Sequence, residues 1–219
     1  EVIDIIYEYV KKNFKYVAIE IGMGAFIPST ANDVFLNKQG DCKDLSNFLS
    51  EALAYKGIKS DLALAATFDH ISDCDFPSLC SANHVVCVAY LNDEKIILDP
   101  TDPEHAKGTP VQSLQGRTIL IVSEDGGSFY EVERFSTKQN NINYELNLNI
   151  SLETDIIDGL VEVSYNGISD NYLRHFYNTM DKKSFTEYVN AFFEEVLGNQ
   201  ELTGISYTDV SQNLNFKGD

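Results

Sequence analysis

Apolar residues recur along this chain at two periods, and the switches between them mark out its elements. Residues 1–14 place Val2, Ile5, Ile6, Tyr9 and Val10 on one helical face, with Lys11 and Lys12 near the C-terminal end, where cations are favoured. Residues 16–21 alternate as a short strand, which Gly22-Met23-Gly24 breaks. Pro28-Ser29-Thr30 opens a short helix over 31–36, with Ser29 or Thr30 as its cap. From Leu45 the apolar positions Leu45, Phe48, Leu49, Ala52 and Leu53 form one stripe, and Gly57 follows as the stop. Cys42 therefore falls in the first turn of this helix, with Asp41 or Gly40 near the cap. Negative charge on a sulfur there is favoured by the positive end of the helix dipole.

Downstream the period shortens. Residues 61–67 predict a buried strand, and 68–82 an irregular polar loop holding His70, Cys74, Pro77 and Cys80. The runs 84–91 and 95–99 flank Asn92-Asp93-Glu94 as a hairpin, Pro100 ends the second strand, and 103–110 is loop. A further hairpin is predicted from 117–123 and 129–135 around Asp125-Gly126-Gly127. The polar stretch 136–141 divides the chain into domains 1–135 and 136–219. Beyond it, Tyr144, Leu146, Leu148, Ile150 and Leu152 alternate as a half-buried strand, Asp158-Gly159 turns the chain, and 160–165 returns. Helices are predicted over 171–180 and 182–197, the second marked by Phe185, Val189, Phe192, Phe193 and Val196, and a last strand over 203–210. Both regions read as α+β, without internal repeats.

Charge narrows the function. With 34 acidic and 16 basic residues the formal net charge is −18, which argues against binding nucleic acid or an anionic membrane face. No apolar run is long enough to span a bilayer. The chain starts at Glu1, already inside an apolar-periodic segment, and reads as a fragment of a longer protein. Four cysteines, Cys42, Cys74, Cys80 and Cys87, are too few for a disulfide-built scaffold.

A cysteine nucleophile needs a base and a group to orient that base, and the first hairpin offers both. His84, Val86 and Val88 project to one face, Val85 and Cys87 to the other. With Asn92-Asp93 as a two-residue turn, Leu91 pairs with Glu94 and Val86 with Asp99, so Asp99 is the diagonal neighbour of His84 at roughly 7–8 Å backbone to backbone. Side chains bridge such a gap by a hydrogen bond, the carboxylate holding the tautomer and stabilising the imidazolium. A one-residue slip in the turn would carry Asp99 to the other face.

Gly40-Asp41-Cys42-Lys43-Asp44, Asn83-His84-Val85-Val86 and Ile97-Leu98-Asp99-Pro100-Thr101, in that order, resemble the transglutaminase-like superfamily. The resemblance is greatest to bacterial members in which such a core is flanked by β-rich domains. The lead-in Ala18-Ile19-Glu20-Ile21-Gly22 with Pro28 is similar as well, so the likeness covers about residues 1–125. It implies a papain/transglutaminase-like core, N-terminal helices packed on an antiparallel sheet, followed by a second, incomplete β-rich α+β region. It implies Cys42 as nucleophile, His84 as general base and acid, and Asp99 as orienter, working without cofactor or metal on a peptide or protein substrate. Around Leu152, Gly167 and Arg174 there is a looser resemblance to the segment that follows the core in those proteins. Lys43 departs from the aromatic that animal transglutaminases carry after the cysteine, and their acidic calcium clusters are not recognisable here. Calcium dependence and cross-linking are therefore not carried over.

Each residue has a plainer reading. Cys42 alone could be a half-buried core thiol, His84 a hydrogen-bonded strand end, and Asp99 a turn former before Pro100. Their order is what favours chemistry: acyl transfer or hydrolysis at peptide or carboxamide bonds through a Cys42 thioester. The alternative is a non-catalytic peptide-binding module that keeps the triad fold. His70, Cys74, Cys80 and His84 match no common zinc spacing, Cys74 and Cys80 could pair as a loop disulfide, and Cys87 reads as core. His105 could replace His84 as base but sits in a Pro-flanked loop with nothing in the sequence to hold it. Gln39 is near enough to be an oxyanion donor. The compartment favoured is periplasmic or secreted over cytoplasmic.

Overall fold

In a computed structural model, residues 1–18, 21–70, 72–92, 94–105, 107–153, 156–197, 205–208 and 215–218 are described. They form two compact units, Glu1–Arg134 and Phe135–Asp219, each mixing helix and antiparallel sheet.

The first unit opens with α1 (Val2–Asn13), whose buried residues are Ile3, Tyr7 and Val10, continued by Phe14. Its inward stripe is thus i, i+4, i+7, i+11, and the predicted face was misplaced, since Val2, Ile5 and Tyr9 are exposed. The apolar arc of the helix is wider than the stripe it buries, and packing against its neighbours decides which part of that arc turns inward. Of the strand predicted over 16–21, only β1 (Lys15–Tyr16) forms, parallel to β2 (Gln39–Gly40); Ile19 and Glu20 lie outside the described residues, and Gly22–Ala25 is a short 3-10 helix. Between them α2 (Ala31–Asn37) starts at Thr30, whose Oγ1 accepts from the Asp33 N–H.

Then α3 (Cys42–Tyr55) packs on a five-stranded antiparallel sheet of order β5-β4-β3-β6-β7. Its strands are β3 (Ser60–Ala65), β4 (His84–Leu91), β5 (Glu94–Leu98), β6 (Thr118–Ser123) and β7 (Gly126–Glu131). Both faces are covered. Cys87 and Ala89 of β4 and Leu98 of β5 face a cluster made by Ile3, Tyr7, Val10, Leu45, Leu49 and Leu53. Val86 and Val88, on the alternate face, pack with Ala63, Ala65, Ile119, Ile121 and Val132. The β4–β5 register runs from Leu91↔Glu94 to Cys87↔Leu98, which is the two-residue turn read from the sequence. In the second hairpin the turn sits at Glu124-Asp125, and Gly126 already pairs with Ser123.

In the second unit β8 (Ile142–Ser151) and β9 (Ile156–Tyr165) form a long hairpin, followed by α4 (Ile168–Thr179), α5 (Lys182–Leu197), β10 (Ile205–Thr208) and β11 (Asn215–Gly218), with sheet order β10-β11-β9-β8. Two expectations are corrected. Asp158-Gly159 does not turn the chain: Gly159 lies inside β9 opposite Leu148, and a Cβ there would meet the Asn147 carbonyl oxygen. The glycine answers a close backbone approach rather than a turn. Nor is β8 half-buried, because Tyr144, Leu146, Leu148, Ile150 and Leu152 are all exposed. Among the described residues β9, α4 and α5 enclose a core, with Val161, Val163, Leu173, Phe185, Val189 and Phe193 at its centre.

Leu49 is fully buried at the middle of α3. Leu49→Ala should lower stability by about 2–5 kcal/mol in urea unfolding, whereas Glu51→Ala on the exposed side of the same helix should change it by no more than about 0.5 kcal/mol.

Candidate active site

The head of α3 is built from Gly40-Asp41-Cys42-Lys43-Asp44. Asp41 is the cap: the Asp44 N–H donates to Asp41 Oδ1 and the Asp41 N–H donates to Asp44 Oδ2, each at 3.2 Å, two orphan donors satisfied reciprocally. Gly40 is required because a Cβ there would come within 2.6 Å of Asp44 Cβ. The Lys43 ammonium ion-pairs with the buried Asp41 carboxylate. The second oxygen of Asp44 accepts from the Ser29 N–H at 2.6 Å, tying the loop before α2 to the same turn. Asp41 and Asp44 thus close the first turn, and the Cys42 and Lys43 N–H groups head the helix.

One turn on, Ser46 donates its hydroxyl to the Val85 carbonyl at 3.0 Å. Cys42 and Ser46 are four apart and so share a side of α3, which brings Cys42 level with the first residue of β4, His84. The Cys42 side chain lies within electrostatic reach of the His84 ring. His84 Nε2 in turn lies 2.8 Å from Asp99 Oδ2. Asp99 follows the last residue of β5 and is buried; its Oδ1 accepts from the Thr101 N–H at 3.0 Å and the Thr101 hydroxyl at 2.7 Å. The structure thus brings Cys42, His84 and Asp99 together, with His84 bonded to Asp99. Cys42 keeps 7% exposure and the His84 side chain 12%, so a small reagent is the matched probe of the sulfur.

The electrostatics follow from this placement. Burial is the largest influence on His84 and opposes its charge, but the Asp99 charge and hydrogen bond, with Cys42 adding to them, outweigh it and raise the pKa to about 10. Burial likewise works against the Asp99 carboxylate, yet His84 and the two Thr101 donors hold its pKa below the usual range. Cys87, fully buried on the opposite face of β4, is pushed up to about 12 by that burial.

The remaining candidates are placed elsewhere. Gln39 sits in β2 with its side chain exposed. Cys74 is buried, Cys80 exposed, and both are free thiols. Among the described residues no group of three or more His, Cys, Asp or Glu is arranged to hold a metal ion. His105 corrects the sequence reading: it is fully buried and held firmly, with Nδ1 2.7 Å from the Tyr7 hydroxyl oxygen and Nε2 2.9 Å from the Thr109 carbonyl. It does not stand at the sulfur. Sequence reasoning also passed over Tyr7 and Thr101; the i, i+4, i+7, i+11 stripe of α1 was the signal for the first, and the position two residues after Asp99 for the second.

No protein-family profile matches the chain, and no curated protein matches it. Two solved structures show a partial likeness. One is a provisionally named protease from Parabacteroides distasonis, with TM-score 0.46, 16% identity, and coverage of 70% of this chain and 30% of that one. The other is a provisionally named cysteine protease from Cytophaga hutchinsonii, with TM-score 0.38, 14% identity, and coverage of 59% and 39%. This chain therefore spans less than two fifths of either protein. Likeness at this level assigns neither a site nor an activity.

The raised pKa of His84 has a sign that stability measurements can read. A group whose pKa rises on folding stabilises fully below its unfolded value and loses that contribution as pH climbs to the folded value. The contribution of His84 should therefore decline from about pH 6.5 towards about 10. Thermal midpoints followed between about pH 6.5 and 9 should fall in the wild type, and the slope should flatten in Asp99→Asn.

Proposed function

We propose that the first unit is a papain-like, transglutaminase-like cysteine enzyme acting at peptide or carboxamide bonds. The observation that carries this reading is the connected series from Cys42 at the head of α3, through His84, to the Asp99 carboxylate 2.8 Å from Nε2. The roles follow from the chemistry of each group. The Cys42 proton passes to His84, and the sulfur attacks the carbonyl carbon. The oxyanion that forms faces the N–H groups of Cys42 and Lys43 at the helix head. As the carbon–nitrogen bond breaks, His84 gives its proton to the leaving amine, and the acyl group remains on sulfur as a thioester. With a pKa near 10 the imidazole holds that proton at neutral pH, and its charge stands beside the sulfur where negative charge develops. Water, deprotonated by His84, releases the acid; an amine in its place gives transamidation. Asp99 keeps the ring oriented and its charge compensated.

The substrate is a peptide or protein. The formal net charge of −18 disfavours nucleic acid and anionic surfaces as partners, and no helix among the described residues is long and apolar enough to cross a membrane.

Peptide libraries assayed for both ammonia or amine release and incorporation of a labelled amine should show turnover in the wild type. Cys42→Ala should abolish it, and Asp99→Asn should lower it by about 10²–10⁴-fold, the usual scale for loss of an oriented acid–base group. Turnover unchanged by Cys42→Ala would remove the nucleophile. A folded wild type that binds peptides but turns none over would instead favour the non-catalytic binding module.

A further inference from the structure

Asp99 lies one residue past the last ladder pair of β5, Cys87↔Leu98, and is followed by Pro100. The sheet therefore ends just short of the residue whose position matters most to His84. What holds the Asp99 backbone comes from α1. The Tyr7 hydroxyl donates to the Asp99 carbonyl oxygen at 2.7 Å. On its other side that hydroxyl meets His105 Nδ1, also at 2.7 Å, and His105 Nε2 faces the Thr109 carbonyl at 2.9 Å. The phenol has a single hydrogen, which goes to the Asp99 carbonyl, so its oxygen is what His105 Nδ1 meets. The Tyr7 hydroxyl is thus the donor to the Asp99 carbonyl and is held on its far side by the buried His105 ring. Lys11, one turn further along α1, donates from Nζ to the His105 carbonyl at 2.7 Å and to the Pro103 carbonyl at 3.3 Å.

Tyr7 is itself fully buried in the cluster that contains Leu45 and Leu49 of the Cys42 helix. The acid and the nucleophile are in this way referenced to one packed body: α1 reaches Asp99 through a hydrogen bond and reaches α3 through apolar contact. We infer that α1 positions the Asp99–His84 pair, with Tyr7 as the positioning residue and Lys11 as support for the loop it holds. Tyr7 touches neither the sulfur nor the imidazole and acts through Asp99. The inference rests on the proposed roles of Cys42, His84 and Asp99, but its main readout does not.

That readout is the titration of the His84 ring by NMR, with its resonance identified by its loss in His84→Ala. Removing the hydroxyl in Tyr7→Phe leaves the Asp99 carbonyl without its donor and His105 Nδ1 without its partner, and the loop relaxes to satisfy them. The His84 pKa should then fall by about one unit or more, towards that of Asp99→Asn. Turnover should drop about tenfold in kcat, with KM unchanged, as for an interaction made at the reacting groups and not at the bound substrate. A folded Tyr7→Phe with an unaltered His84 titration overturns the inference. Should Tyr7→Phe fail to fold, Lys11→Met is read in the same way; it frees the same loop without touching the phenol, and an unaltered His84 titration there overturns the inference too. Loss of the proposed function is a separate result: Cys42 chemistry indifferent to His84→Ala would sink that reading, while the His84 titration would still report whether α1 holds Asp99.

Discussion

A carboxylate buried beside the sheet sets the terms for the first unit. Removing such a charge from water is costly unless it is paired and every lone pair is satisfied. Asp99 meets that condition with partners from separate parts of the chain: His84 from β4 on one oxygen, and two donors of Thr101 from its own loop on the other. Because none of these partners reaches Asp99 unless the loop after β5 is in place, the contacts that fix the loop matter as much as those on the carboxylate. Tyr7 and Lys11 supply them from α1. The pairing also decides the state of His84. An imidazole as buried as this one would shed its charge, and the neighbouring carboxylate reverses that preference.

Helix α3 shows the same economy of construction at its N-terminus. Its first turn is closed by reciprocal carboxylate–amide bonds, and its second turn is fastened to β4 through Ser46. Leu45, Leu49 and Leu53 then bury one stripe against α1 and the sheet. The sulfur is therefore fixed by a regular element with a packed face and a bonded end, the arrangement that holds reacting groups within tight tolerances. Polar groups gather where the backbone leaves donors without helical partners, and apolar groups where it does not.

Legibility in the sequence follows the range over which each signal acts. The Cys42 helix was readable because its cap, its stripe and its stop all lie within about four turns. The hairpin register was readable because a two-residue turn fixes every pair, and through it the approach of Asp99 to His84. The inward face of α1 was not, because its apolar arc is wider than the stripe it buries and only contact with α3 and the Asp99 loop decides that Tyr7 faces in. His105 was missed for a similar reason: its anchors, Tyr7 and Thr109, are chosen by tertiary packing, and proline-flanked loop residues carry no local sign of burial. In the second unit Asp158-Gly159 imitates a turn, although the glycine serves a close approach between strands, which pairwise turn signals cannot distinguish.

The most direct test of the central account is the rate at which iodoacetamide alkylates Cys42, followed by mass spectrometry across the pH range. If His84 is the partner of the sulfur, labelling is fast near neutral pH and Cys42→Ala removes it at that site. His84→Ala should then move the rate profile upward towards that of an ordinary thiol, near pH 8.5 by the usual ~8.5 pKa of free cysteine. A wild-type profile already at that position and unchanged in His84→Ala would contradict the account.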